Sequence, residues 1–288
     1  LAKILGISAS RRPRGNCETS VKVVLASAGE GGADTDFLRL TDFSIEACAG
    51  CFKCIRGDRR CPIEDDLYAL LGYLDGTDGL VLAAPVYFLS PPAVLVGLLD
   101  RLLTVGQVCG GQTREKPAVT MTLMGNREWR GVTEPFVNLT ASLLGFEVVR
   151  SMRLVAEGPG EIVTRDDVIH ELEQAGLDLA GGAPDAEEVT PELCPVCRSD
   201  CFRIEPPSIV CPICGSAGDL MHYVERQEFV GRLGEPRWGL SWLDKHIEAW
   251  VRPSIERYRD RRKAILRAMG RLKQHRGVKS ERGNADVR

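Results

Sequence analysis

Through its first 180 residues the chain alternates short apolar runs with amphipathic segments, and this alternation leaves few folds open to it. KILGIS (3–8), DFLRL (36–40), GLVLAA (79–84), AVTMTLM (118–124) and FEVVRSM (146–152) read as five strands. The near-continuous apolar character of the first is that of a parallel strand covered on both faces. Helices are expected over 16–28, 64–74, 91–103, 134–144 and 165–179. In the second of these Leu67, Leu70, Leu71 and Leu74 share one helical face, and Asp65 or Asp66 suits its N-terminus. Strands alternating with helices predict an α/β fold, a doubly wound five-stranded parallel sheet. Its right-handed crossovers send ligands to the carboxyl edge of the strands, where the strand order reverses.

The 288 residues exceed what this domain needs. The domain is expected over 1–183, a flexible acidic boundary AGGAPDAEE at 180–188, a small module with two CPxC pairs over 190–222, and a basic helical extension over 223–288. In that extension thirteen Lys or Arg stand against four Asp or Glu from Arg252 onward, and Ile255, Tyr258, Arg262, Ile265, Met269 and Leu272 fall near helical spacing. The expected role is an amphipathic helix packed on its own body or a sister subunit. The whole chain carries a net charge of −3, and no nucleic-acid reader motif accompanies the tail, so nucleic acid is not an expected partner. The uncharged stretch 79–99 is long enough to span a bilayer, but Pro85, Pro91 and Pro92 divide it into a strand, a loop and a helix. No leader is expected at LAKILGIS. Eleven cysteines in tight groups suit metal binding in a reducing, cytoplasmic setting better than dispersed cross-links.

Three loops should meet at the carboxyl edge. SASRRPRGNCETS (8–20) lacks a dinucleotide fingerprint but offers hydroxyls and arginine before a helix N-terminus. That is a setting for phosphate, with Ser8, Ser10, Arg12, Gly15 and Asn16 as contacts; a plain polar turn is the competing reading. APVYFLSPP (84–92) brings Tyr87 and Phe88 to a strand end, to flank a flat ring or to serve a core or interface. GNREWRG (125–131) offers Gly125 and Asn126 for close backbone approach.

These loops resemble those of the NADPH-dependent FMN reductases of the flavodoxin-like superfamily over about residues 1–155. The matching stretches are ASRRPRGN and APVYFLS, the latter running on to LLDR at 98–101. Arg11 and Cys17 depart from that pattern, standing where proline and a phosphate-binding threonine are usual. The resemblance implies FMN, with its phosphate on the first loop (Ser8 to Cys17) and its ring against Pro85, Val86, Tyr87, Phe88, Gly125 and Asn126.

Within that superfamily CAGCFKCIRGDRRCP (48–62) looks like the iron–sulfur flavoproteins, whose compact motif holds a 4Fe–4S cluster. C-x2-C-x2-C wraps three corners of a cubane with one short loop, and a fourth cysteine, here Cys61, closes it. One zinc ion or unliganded thiols at Cys48, Cys51, Cys54 and Cys61 are the alternatives. The pairs Cys194–Cys197 and Cys211–Cys214 have zinc-ribbon spacing, with iron as the minority occupant. Cys109, Cys201 and the four scattered histidines receive no role.

The resulting expectation is an FMN-dependent oxidoreductase, linked to NAD(P)H or ferredoxin, that couples a two-electron carrier to a one-electron carrier, working as a homo-oligomer (dimer or tetramer), with no catalytic acid or base assigned. The rival readings are an FMN or quinone reductase with a structural cysteine loop, and a redox sensor or scaffold acting through the ribbon and basic tail.

Overall fold

The computed structural model describes residues 1–55, 60–102, 116–182, 189–228, 230, 245 and 247–272. Cys109, His246, His275, the linker residues 183–188, the final residue of the helix expected over 91–103 and the tail beyond Leu272 lie outside the described residues.

Strands β1 (Lys3–Ser8), β2 (Asp34–Arg39), β3 (Gly79–Pro85), β4 (Lys116–Met124) and β5 (Phe146–Val155) form one sheet, all parallel, in the order β2-β1-β3-β4-β5. Helices α1 (Asn16–Glu30), α2 (Leu67–Leu74), α3 (Ala93–Arg101), α4 (Thr133–Leu143) and α5 (Asp166–Ala180) connect or follow them. The sheet is covered on both faces, which explains the apolar runs. Leu5, Ile7, Leu80 and Leu82 meet α2, α3 and α4 through Leu67, Leu70, Leu95 and Val137. Their neighbours Ile4, Val81 and Ala83 point the other way, as the period of a strand requires, and meet α1 and α5 through Val21, Val24, Leu172 and Ala175. The two helices on that face approach closely at Gly176, where a Cβ would lie 2.3 Å from the Val24 carbonyl oxygen.

The uncharged stretch 79–99 divides as its prolines require, into β3, a turn and most of α3. Among the described residues no helix is long and apolar enough to cross a membrane. Helix α2 starts three residues later than its sequence suggests, with Asp66 at its N-cap and Asp65 Oδ1 accepting from Leu67 N–H at 3.1 Å, so both aspartates stand at its N-terminus. Asp65 Oδ2 accepts from Glu46 N–H (2.9 Å), and Asp66 Oδ2 from Ser44 N–H (2.7 Å), which ties both ends of the cysteine loop together.

The chain divides into two units, Leu1–Trp242 and Leu243–Arg288. The first includes a small antiparallel sheet of β6 (Arg203–Glu205), β7 (Ser208–Val210) and β8 (Ala217–Asp219), followed by α6 (Leu220–Arg226). Asp219 caps α6, its carboxylate accepting from His222 N–H at 2.8 Å. In the second unit α7 (Arg252–Leu272) carries a one-sided excess of basic residues, with Tyr258 and Leu266 about half exposed.

Candidate functional site

Strand order reverses between β1 and β3, so their carboxyl ends flank a crevice. A cavity of about 180 Å³ opens there. Ser10, Arg12, Gly15, Asn16 and Cys17 line it from the first loop, Pro85, Val86 and Tyr87 from the third, and Gly125 from the fourth. Four more lining residues were not singled out by sequence: Leu123 and Met124, at the end of β4, and Ala156 and Glu157, just past β5.

The first loop folds on its own hydroxyls. Ser8 is fully buried, and its Oγ accepts from Ser10 N–H at 3.4 Å; Ser10 Oγ accepts in turn from Arg12 N–H at 3.2 Å. Ser8 thus shapes the loop from below and does not line the cavity. Helix α1 then begins at Asn16 with no side chain hydrogen-bonded at its cap and with Glu18 in its first turn. Glu18 is buried and accepts from Arg14 N–H (3.0 Å), Lys22 Nζ (2.6 Å) and Arg39 Nη2 (2.9 Å). Burial alone would raise its carboxyl, but these partners win and hold it at about 2. Cys17 borders the cavity and packs into the core behind α1; burial pushes its thiol up to about 12, so it stays neutral.

Asn16 lines the cavity, and its side chain also holds the wall beside it. Its Nδ2 donates to the carbonyls of Gly158 (2.9 Å) and Ala156 (3.3 Å), and its Oδ1 accepts from Ile162 N–H (3.3 Å). The side chain staples the start of α1 to the segment after β5. With the Ala156 N–H bond to Met124 O at 3.0 Å, which continues the β4–β5 ladder, it holds Ala156 and Glu157 at the cavity wall.

The third and fourth loops are stitched into one rim. Tyr87 and Ser90 exchange backbone hydrogen bonds at 2.9 and 3.1 Å around Phe88 and Leu89, both left-handed (φ 49° and 64°), the pattern of a type I′ turn. Val132 N–H donates to the Leu89 carbonyl at 2.9 Å. Beside it Gly131 (φ 56°) allows the approach, since a Cβ there would sit 1.9 Å from Leu89 O. Phe88 is 87% exposed and meets the Trp129 ring edge-on at 6.3 Å, outside the cavity lining. Asn126 also lies outside that lining; its Oδ1 accepts from Glu128 N–H at 2.9 Å and caps the short turn Arg127–Trp129.

The cysteine loop follows β2 and so leaves the same sheet edge. Cys48, Cys51, Cys54 and Cys61 line one further cavity of about 70 Å³, with Asp100 and Arg101 from the end of α3. Cys61 N–H donates to Tyr68 Oη at 2.7 Å. Burial, followed by the neighbouring sulfurs of Cys61, Cys48 and Cys51, pushes the Cys54 thiol up.

The ribbon thiols are packed differently. Cys194, Cys197, Cys211 and Cys214 are buried, and all four sulfurs lie within 4.8 Å of one another. Cys194 Sγ is 3.4 Å from Cys214 Sγ, and Cys197 Sγ is 3.5 Å from Cys211 Sγ. A tetrahedral ion with bonds of about 2.3 Å needs sulfurs about 3.8 Å apart, so this set fits one metal ion after slight expansion. Among the described residues the loop cysteines form no such close group. The ribbon docks on α4: Asn138 Nδ2 donates to Cys197 O at 3.4 Å, Arg130 pairs with Asp200, and Leu139 and Leu143 pack against the ribbon core.

The sheet order, the uncapped first helix and the crevice over β1, β3 and β4 define a flavodoxin-like α/β protein. The chain belongs to the NADPH-dependent FMN reductase family, whose model matches residues 2–158, more than half of the sequence. It is 39% identical to an iron–sulfur flavoprotein of Methanocaldococcus jannaschii and 37% identical to one of Methanosarcina thermophila, each over 99 residues. Each match takes in 34% of this chain and 51% of the relative, so the chain spans about half the length of the curated relatives it matches. A solved flavone reductase shares the fold, with a TM-score of 0.69 at 20% identity over 92% of this chain and 97% of that one.

Proposed function

We propose that the chain is an FMN-dependent oxidoreductase of the iron–sulfur flavoprotein kind, passing electrons between a two-electron carrier such as NAD(P)H and a one-electron carrier such as ferredoxin. The observation that carries this reading is the gathering of four loop thiols around one cavity on the sheet edge that also bears the crevice. FMN would supply two-electron chemistry and a 4Fe–4S cluster one-electron chemistry.

The chain's own residues bind and orient. The uncapped start of α1 with Gly15, Ser10 and Arg12 suits the FMN phosphate, and Pro85, Val86, Tyr87 and Gly125 suit the ring. Cys48, Cys51, Cys54 and Cys61 would hold the cluster, and the ribbon thiols a structural zinc. Exposed Phe88, Leu89 and Trp129 offer an apolar face to a second copy in a homo-oligomer.

Anaerobic purification with iron, sulfide, zinc and flavin quantified tests the reading. It expects FMN, a reducible cluster signal and ribbon zinc in each chain; protein with neither flavin absorption nor a reducible cluster would sink it. The family match favours a second reading, an NAD(P)H-dependent FMN or quinone reductase with a structural cysteine loop. Flavin with NAD(P)H turnover but no acid-labile sulfide would select it.

A further inference from the structure

Arg101 ends α3 in the run Leu98-Leu99-Asp100-Arg101, where a charge at a helix end ordinarily reaches water. Here its side chain is 1% exposed. A guanidinium cannot shed its proton, so burying one costs several kcal/mol unless it is fully paired. Nη1 donates to Asp65 Oδ2 at 2.6 Å and to the Glu46 carbonyl at 2.7 Å, and Nη2 to Asp65 Oδ1 at 3.3 Å. Cys61 lies close enough that, after Asp65, its sulfur favours the charged guanidinium. A leucine of similar bulk would complete the same core without the desolvation cost, so packing alone does not account for the charge.

The orientation does account for it. Arg101 lines the cavity of the four loop thiols, and Asp65 does not. The buried pair therefore turns its positive end toward the sulfurs. Asp100 borders the same cavity but is exposed, so water and salt screen its charge.

We propose that Arg101 is a positioning residue for the 4Fe–4S cluster: it fixes Cys61 as the fourth ligand and sets a permanent positive charge beside the cluster, which raises its reduction potential. The proposal rests on the cluster reading given above. A cluster gains negative charge on reduction, so a nearby fixed cation stabilises the reduced form. One charge a few ångströms away in a partly buried site shifts the reduced-to-oxidised ratio at a fixed potential by about tenfold or more, about 59 mV for a one-electron couple.

The test uses the full chain purified anaerobically, with Arg101→Met and Arg101→Lys beside the wild type. Iron and sulfide are counted, the midpoint is read by redox titration followed by electron paramagnetic resonance, and iron release to a chelator is timed. In Arg101→Met the midpoint should fall by the tenfold equivalent. In Arg101→Lys, which keeps the charge but loses the fork that grips Asp65 and Glu46 beside Cys61, the midpoint should hold while iron release speeds several-fold. An unchanged midpoint in folded Arg101→Met overturns the proposal. If that variant does not fold, a wild-type release rate in Arg101→Lys overturns it instead, because a residue that only packs would leave the cluster undisturbed. Wild-type protein without iron at the loop removes the cluster reading itself, an outcome distinct from either of these.

Discussion

Replacing Asn16 with alanine separates a staple from a ligand. Three hydrogen bonds disappear, those to Gly158 O, Ala156 O and from Ile162 N–H, at 2.9, 3.3 and 3.3 Å. Each is worth about 1 kcal/mol net, and the backbone groups left behind in a half-buried place gain only partial access to water, so the loss should be about 2–4 kcal/mol. Asn16→Asp is the informative companion. It restores the acceptor for Ile162 N–H but turns a carboxylate toward two carbonyl oxygens, and should be no more stable than the alanine variant. The assay is urea unfolding of the flavin-free protein, paired with an FMN titration followed by flavin fluorescence. Stability should fall in the absence of flavin, and affinity should fall as a consequence, because the wall formed by Ala156 and Glu157 loses its anchor. Flavin-free stability within about 0.5 kcal/mol of the wild type, accompanied by a tenfold loss of FMN affinity, would refute the reasoning and return Asn16 to the phosphate.

Three further outcomes follow from the same geometry. Cys211→Ser should abolish metal at the ribbon and lower the unfolding temperature of the first unit, as metal analysis and thermal denaturation would show, because the ribbon core is built on its four sulfurs. Gly131→Ala should weaken FMN binding in a fluorescence titration: the added Cβ meets Leu89 O, and left-handed backbone costs alanine about 1–2 kcal/mol, so the rim of the crevice must shift. Glu18 should make the protein acid-sensitive. Its folded value of about 2 lies below its ordinary 4.5, so its contribution is complete above pH 4.5 and is lost as the pH falls through about 2. Screening at the half-exposed Lys22 leaves about 2 kcal/mol of this, and the stability gap between the wild type and Glu18→Gln should close over that range.

The sheet was legible because covered parallel strands must be apolar along their length, and β3 with its 0–1% exposed leucines and valine satisfies that without exception. The ribbon was legible because metal ligands come in local pairs. Residues acting at long range were not. Ala156 and Glu157 carry no motif, and nothing near them in sequence announces the Asn16 side chain that bonds the same segment. Asn16 itself sat in a loop rich in plausible anion contacts, where a residue facing the cavity wall looks the same as one facing its contents. Asp65 and Asp66 read as helix-start residues and stand at that start; their second use, holding Glu46 and Ser44 at the far end of the loop, carries no local signal. From its place at a strand end Phe88 read as a ring contact or a core or interface residue; the type I′ turn leaves it 87% exposed, out of the core of its own chain.

The docking of the ribbon on α4 carries a consequence for anyone dividing this protein. Leu139 and Leu143 face the ribbon core, and Asn138 spends a donor on the Cys197 carbonyl. A chain cut after α5 would keep every strand of the large sheet and every residue of the crevice. It would also present water with Leu139 and the ribbon-facing side of Leu143, and trade the Asn138 bond to Cys197 O for one to solvent, on a helix whose first turn adjoins the aromatic rim. The metal module is in this sense the outer skin of the helix layer, and a minimal version of the protein would need α4 resurfaced before it could stand without it.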